Sequence, residues 1–212
     1  GDNNPGNVNI MPGSTNVPML QLNLSSSDVE DIETHNITFS AQGTGHDVFD
    51  LDSGSINLYR DVNNDGAYQS EIDEFINNAN AFGNDNGDVT ISTNNRIIPQ
   101  SDSENWLITY DFIDTVQTDL TFMTRLLESS HVEAVGIASD TSATINLSEG
   151  VVNGGLITID STGSLSLALG SSTPINGAIA NDAQQVVMAQ LRLSASDAES
   201  ISLSKATIKG AG

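Results

Sequence analysis

The stretch VPMLQLNLSS, residues 17–26, sets Leu22 and Leu24 on one side of an extended chain and Gln21 and Asn23 on the other. A two-residue period of this kind marks a strand with one buried face. The stretch returns near the carboxyl end as VVMAQLRLSA, residues 186–195. Set side by side without a gap, residues 1–43 and 170–212 share 16 identities in 43 positions, among them Pro5 with Pro174, Val17 with Val186, Met19 with Met188, Gln21 with Gln190, Leu22 with Leu191 and Leu24 with Leu193. The register holds through Ser25 with Ser194, Asp28 with Asp197, Glu30 with Glu199 and Ile32 with Ile201. Apolar and polar faces stay in phase, so the chain reads as one unit of 169 residues followed by the opening of a second.

Outward from residues 17–26 the alternation recurs. DIETHNITFSA carries Ile32, Ile37 and Phe39, GSINLYRDV carries Ile56 and Leu58, GDVTIST carries Val89 and Ile91, and NWLITYDF carries Trp106, Ile108, Tyr110 and Phe112. DLTFMTRLL (119–127) places Leu120, Phe122 and Thr124 inward, and HVEAVGIAS and SATINLS follow. Turn residues separate these runs, and about seven to nine short strands at near-regular spacing predict an all-β fold, an immunoglobulin-like Greek-key β-sandwich. SEIDEFINNANAF (70–82) alone offers a short helical turn. The expected organisation is an extended amino-terminal arm over 1–16, a sandwich over 17–149, and a carboxyl-terminal strand segment over 150–212 that repeats residues 1–43.

By the logic of the repeat, the strands expected at 150–169 have no counterpart ahead of Gly1, and the second copy has no counterpart of 44–149. An incomplete sandwich leaves sheet edges unpaired, and strands of a neighbouring subunit can complement it by β-augmentation. Such head-to-tail pairing does not close on itself and propagates as a filament. The expected partners are therefore copies of the same chain. The alternative is a slice of a tandem-repeat surface adhesin or S-layer-type stalk.

Charge narrows the partners further. With 28 Asp and Glu against 6 Lys and Arg, the net charge of -22 disfavours nucleic acid and anionic membrane surfaces and favours cations. No run approaches the ~18 apolar residues of a membrane helix, so membrane insertion is not expected. The chain has no cysteine, which excludes disulfides and thiol catalysis. His35, His46 and His131 have no zinc-like spacing, and aromatic residues make up only 5%, too few for a sugar-stacking cleft. Trp106 reads as core, His35 as an exposed strand residue, and no enzyme is expected. Abundant Ser, Thr, Asn and Gly point outside the cell, and the sequons at Asn23, Asn36 and Asn146 are compatible with glycosylation.

The densest polar pattern is LYRDVNNDGAYQSEIDEF, residues 58–75. Asp61, Asn63 and Asp65 fall at positions 1, 3 and 5 of a D-x-[DN]-x-[DN]-G loop, with Gly66 at 6, the Ala67 carbonyl at 7 and Gln69 at 9. Calcium takes six to eight oxygens, and this order supplies them from one tight turn. Ile72 stands where a bidentate Glu belongs, and a one-residue bulge brings Asp73 to the metal instead. The alternative is an Asx-rich turn between strands. Two more acidic turns, FGNDNGDVT (82–90) and GHDVFDLDSGS (45–55), have no recognised ligand order.

DVNNDG resembles the calcium loops of dockerins and thrombospondin type 3 repeats. The longer run from PMLQLNLSSSDVEDIETHNITFSAQGTG through INLYRDVNNDGAYQ to NWLITYDF resembles the calcium-binding immunoglobulin-like repeat modules of bacterial and archaeal surface and filament proteins, over most of 17–148 and again over 186–212. That resemblance implies a β-sandwich with structural or adhesive work at the cell surface and a bound calcium. A calcium-dependent carbohydrate-binding module, with cell-surface glycans as partners, is the adhesive variant of the same reading.

Overall fold

The computed structural model describes residues 1–148, 150–160, 163–175, 177–195 and 200–209. Strand accounts for 44% of the chain and helix for 1%, so the fold is all-β, with sheets packed face to face. Two compact units form, Gly1–Asp160 and Ser161–Gly212.

The first unit runs β1 (Val8–Ile10), β2 (Val17–Ser25), β3 (Ile32–Gly43), β4 (Leu51–Arg60), β5 (Glu74–Ala79), β6 (Asp88–Ile98), β7 (Ser103–Phe112), β8 (Thr121–Leu126), β9 (Val132–Gly136), β10 (Thr141–Ser142), β11 (Val152–Asn153) and β12 (Ile157–Ile159). Four of these make one sheet in the order β2-β7-β4-β5. The other sheet is built around β3, with β6 along one edge and β8 and β9 along the other, and extends through β12 to β1 and through β10. Alternate side chains from both sheets meet between them. Met19, Leu20, Ile37, Phe39, Ile56, Leu58, Trp106, Ile108, Tyr110, Phe112, Phe122 and Ile157 are essentially sealed from solvent. Most of the inward residues read from strand periodicity, Trp106 among them, thus form the core, while Leu24, Ile32 and Leu120 are half-buried.

Along one flank the sandwich is shut by polar contacts. Asn77 Nδ2 of β5 donates to the Ser92 carbonyl of β6 at 2.9 Å, and Asn94 Nδ2 donates to the Ile76 carbonyl at 2.7 Å. Arg96 of β6 crosses to the other sheet, where its guanidinium donates to both oxygens of Glu104 at 2.5 and 3.0 Å and both oxygens of Glu74 at 3.0 and 3.1 Å. Trp106 Nε1 donates to Glu104 at 2.8 Å, and Arg60 stands 3.5 Å from the same carboxylate. Two of the six basic residues are spent on this one cluster, which fixes the sheets against each other.

The opposite flank differs. Gly154 N donates to the Thr124 carbonyl at 2.9 Å, and a Cβ on Gly154 would lie 1.9 Å from the Met19 carbonyl, so only glycine fits between β8 and the start of β2. Beyond that point the flank opens into a groove of about 1040 Å³ that runs past Leu22, Leu24, Ile37, Leu126, Val132 and Val152.

Several expectations are revised by the structure. Residues 70–82 supply β5 instead of a helical turn, because Glu74–Ala79 pairs with β4 and buries Ile76. Asn146 lies beyond the short β10, and SATINLS is mostly irregular. The arm over 1–16 is docked, with β1 pairing in parallel with β12 from Val8 opposite Ile157 to Ile10 opposite Ile159. The first unit extends to Asp160 and not to 149, since β11 and β12 pair with β8 of the same chain and Ile157 and Ile159 enter its core. His35 is half-buried, with Nδ1 3.1 Å from Asn95 Oδ1.

The second unit is a hairpin of β13 (Leu165–Leu169) and β14 (Leu191–Ala195). Residues 200–209 alternate in sequence without forming a strand: β3, their counterpart, is held on both edges, and they have no such neighbours among the described residues. The repeat matches at Asn176, Ser196, Asp197, Glu199 and Gly212 lie outside the described residues.

Replacing Arg96 with Met strips a mostly buried Glu104 of its principal partner. Urea unfolding of Arg96→Met is expected to show a loss of about 3 kcal/mol. A loss under half of that would mean the cluster is not what locks the flank.

Candidate metal centre

The loop between β4 and β5 is held at both ends by the sheet: Asp61 N donates to the Asn105 carbonyl of β7 at 2.8 Å, and Glu74 begins β5. Asn64 and Gly66 adopt left-handed φ of 55° and 73°. Gly66 also packs so closely on the amino-terminal arm that a Cβ would lie 1.8 Å from the Asn3 carbonyl. Both constraints favour Asn and Gly at these positions.

Each side chain expected to ligate makes hydrogen bonds within the loop. Buried Asp61 accepts from Gly66 N at 2.9 Å and Asp65 N at 3.3 Å. Asp65 accepts from Ala67 N at 3.0 Å, Asn63 Nδ2 at 2.9 Å and Gln69 Nε2 at 2.6 Å, and the Ala67 hydrogen bond leads in holding its carboxyl below the ordinary Asp range. Asp73 folds back onto the loop, accepting from Gln69 N at 2.7 Å and Val62 N at 3.2 Å.

Whether these residues fit a cation turns on two details. Among the described residues, no three His, Cys, Asp or Glu side chains converge as a metal cluster. Yet Gln69 Oε1 is shut away from solvent without a hydrogen-bond donor, at position 9 of the loop. The Asn63 and Gln69 amides donate to Asp65 here; turned half-way round, each presents an oxygen instead. The donor set is therefore all oxygen, as a hard cation requires.

One residue governing the loop was not expected to be buried. Gln21 lies on the face of β2 assigned to solvent, yet it is wholly buried, and its Nε2 donates to Asp61 Oδ2 at 2.7 Å and Asn64 Oδ1 at 3.0 Å. Its Oε1 accepts from Asn3 N at 3.0 Å, its own N donates to Asn4 Oδ1 at 3.0 Å, and its carbonyl accepts from Gly1 N at 2.7 Å. Gln21 thus ties the arm, the edge of β2 and the loop into one network. Its recurrence as Gln190, directly after the apolar run Val186–Ala189, was the available signal.

The two remaining acidic turns meet each other. Asp47 is buried and accepts from Asn86 N at 2.9 Å, while Asn86 Oδ1 accepts from Gly43 N at 2.7 Å and Ser40 donates to Asp88. Compared with known proteins, the chain matches no protein family, none of the curated proteins and none of the solved structures.

Burial, partly offset by the Asn86 hydrogen bond and reinforced by Asp85, pushes the Asp47 carboxyl up to about 6. The folded chain therefore holds a proton that the unfolded chain releases near 3.8, and stability falls as pH rises between those values. Asp47→Asn keeps the acceptor for Asn86 and removes the charge. It is expected to stabilise the protein at pH 7 by roughly 1–2 kcal/mol and to flatten that part of the pH–stability curve. Equal stability of both forms at pH 7 would contradict the assignment.

Proposed function

We propose that this chain is a structural component of an extracellular fibre, in which copies of an immunoglobulin-like Greek-key sandwich join head to tail by β-strand addition, with calcium clamping the loop over 61–73. The observation that carries the proposal is the hairpin of the second unit. Leu167 and Leu169 are 64% and 68% exposed, and Leu165, Leu191 and Leu193 are exposed as well. A two-stranded ribbon is marginal by itself, and a leucine-lined one needs another sheet to cover it. Pairing of strands distant in sequence, β2 with β7 and β3 with β8 and β9, supports the Greek-key description. The net charge of -22 and the oxygen-rich loop support a cation partner, and calcium is abundant outside cells.

A second reading places the copies in series on one polypeptide as a surface stalk. It is favoured by one observation: the first sandwich takes its β12 from its own chain, and the second copy follows directly. Glycan binding is the weaker reading, because Phe49 and Phe75 are the exposed aromatic rings, and each already contacts a neighbouring ring, His46 and Tyr59 respectively.

Sedimentation and electron microscopy of the 212-residue chain separate the first two readings. The fibre reading predicts concentration-dependent polymers that Leu165→Lys with Leu167→Lys abolishes. Monomers at every concentration would reject it and leave the stalk. Calcium binding to the folded state alone adds about 2.7 kcal/mol at 100 times its dissociation constant. Chelation with EGTA is therefore expected to lower the melting temperature by roughly 5–10 °C. An unchanged melt removes calcium from the account.

A further inference from the structure

The two copies of the repeat share one set of hydrogen bonds at their start. In the second, Gly170 N donates to the Gln190 carbonyl at 2.7 Å, Ser172 N donates to Gln190 Oε1 at 2.8 Å, and Gln190 N donates to Thr173 Oγ1 at 3.1 Å. These are the bonds that Gly1, Asn3 and Asn4 make with Gln21, displaced by 169 residues. In the second copy the Gly170–Gln190 rung continues as a ladder: Leu169 pairs with Leu191, Ala168 with Arg192, Leu167 with Leu193 and Leu165 with Ala195. Carried back to the first copy, the same ladder runs along Leu22, Asn23, Leu24 and Ser26 of β2 and its end.

That edge of β2 has the capacity to receive it. β2 ends its sheet, with β7 on its other side. The Gln21 backbone bonds outward to Gly1 and Asn4, and Ser26 N donates inward to the Asp102 carbonyl at 3.0 Å. By the two-residue period, Asn23 and Ser25 turn their backbone groups outward with Gln21. Below the same stretch lies the groove between the sheets, which Leu22 and Leu24 line. Residues opposite one another in a ladder share a face, so leucines facing Leu22 and Leu24 enter that groove.

Resting on the assembly reading above, we propose that the edge of β2 over Asn23–Ser25 accepts the Leu165–Leu169 strand of a second copy of this chain, antiparallel, with Leu169 opposite Leu22 and Leu167 opposite Leu24. The leucines fill the groove, and Ser166 and Ala168 face outward beside Ser25 and Asn23.

The test is hydrogen exchange on the full chain, diluted below self-association, with a synthetic peptide GSLSLAL of residues 163–169, which stops short of the place Gly1 holds opposite Gln21. The peptide is expected to slow exchange of the Asn23 and Ser25 amides by about tenfold or more. The Leu167→Lys peptide should give no protection, and neither should a Ser25→Pro chain, whose proline removes one outward amide while suiting an edge strand. Unchanged exchange at saturating peptide, or equal protection by the lysine peptide, overturns the proposal. If the peptide protects β2 but the chain never polymerises, the edge stands and the fibre reading falls. If Ser25→Pro polymerises as the parent does, the fibre reading stands and this edge is not its joint.

Discussion

Gln21 is the constraint on which the architecture turns. A primary amide wholly buried in a strand is costly unless each of its donors and acceptors is met. Here the arm, the loop and the edge of β2 arrange themselves around it to meet them. The buried Asp61 carboxylate receives part of its hydrogen bonding from that amide, so the shape of the acidic loop depends on a residue 40 positions earlier. Gln190 repeats the arm-side bonds of Gln21, from Gly170, from Ser172 and to Thr173, so that part of the hydrogen bonding at the start of the first copy is reproduced at the start of the second.

The sandwich is asymmetric in how it closes. On the β5–β6 flank, Arg96 and Arg60 neutralise Glu74 and Glu104 and join the sheets. The Arg96 hydrogen bond keeps the Glu74 carboxyl below its usual range. On the β2 flank, Gly154 packs against the Met19 carbonyl, and beside it lies an open groove lined by apolar residues such as Leu22 and Leu126 and polar ones such as Ser25 and Asn153. A protein with so few basic residues commits two of them to one side of the sandwich.

Strand alternation made the core legible from sequence, because inward residues such as Phe39, Ile91, Trp106 and Phe122 follow a period of two wherever one face is buried. The loop was legible as a cluster of ligand-type residues, and Asp73 does fold back onto it. The burial of Gln21 was missed because periodicity takes a polar face for a solvent face, and here the arm and the loop cover it. Glu74–Ala79 looked helical because its Asn and Ala carry little strand propensity; pairing with β4 overrides that preference. The Arg96 cluster joins residues from four strands and leaves no local trace. The return of β12 to pair with β1, about 150 residues away, was hidden for the same reason.

What links fold to function is the mapping of one copy onto the other. The absence of cysteine allows that mapping to be read covalently. Residues opposite one another in a hydrogen-bonded rung stand about 5.5 Å apart at Cα, within reach of a disulfide. Chains carrying Asn23→Cys, mixed with chains carrying Ala168→Cys and oxidised, are predicted to form a cross-linked heterodimer faster than the mixture of Asn23→Cys with Leu165→Cys. Equal rates for the two mixtures, or no cross-link in either, would contradict the account.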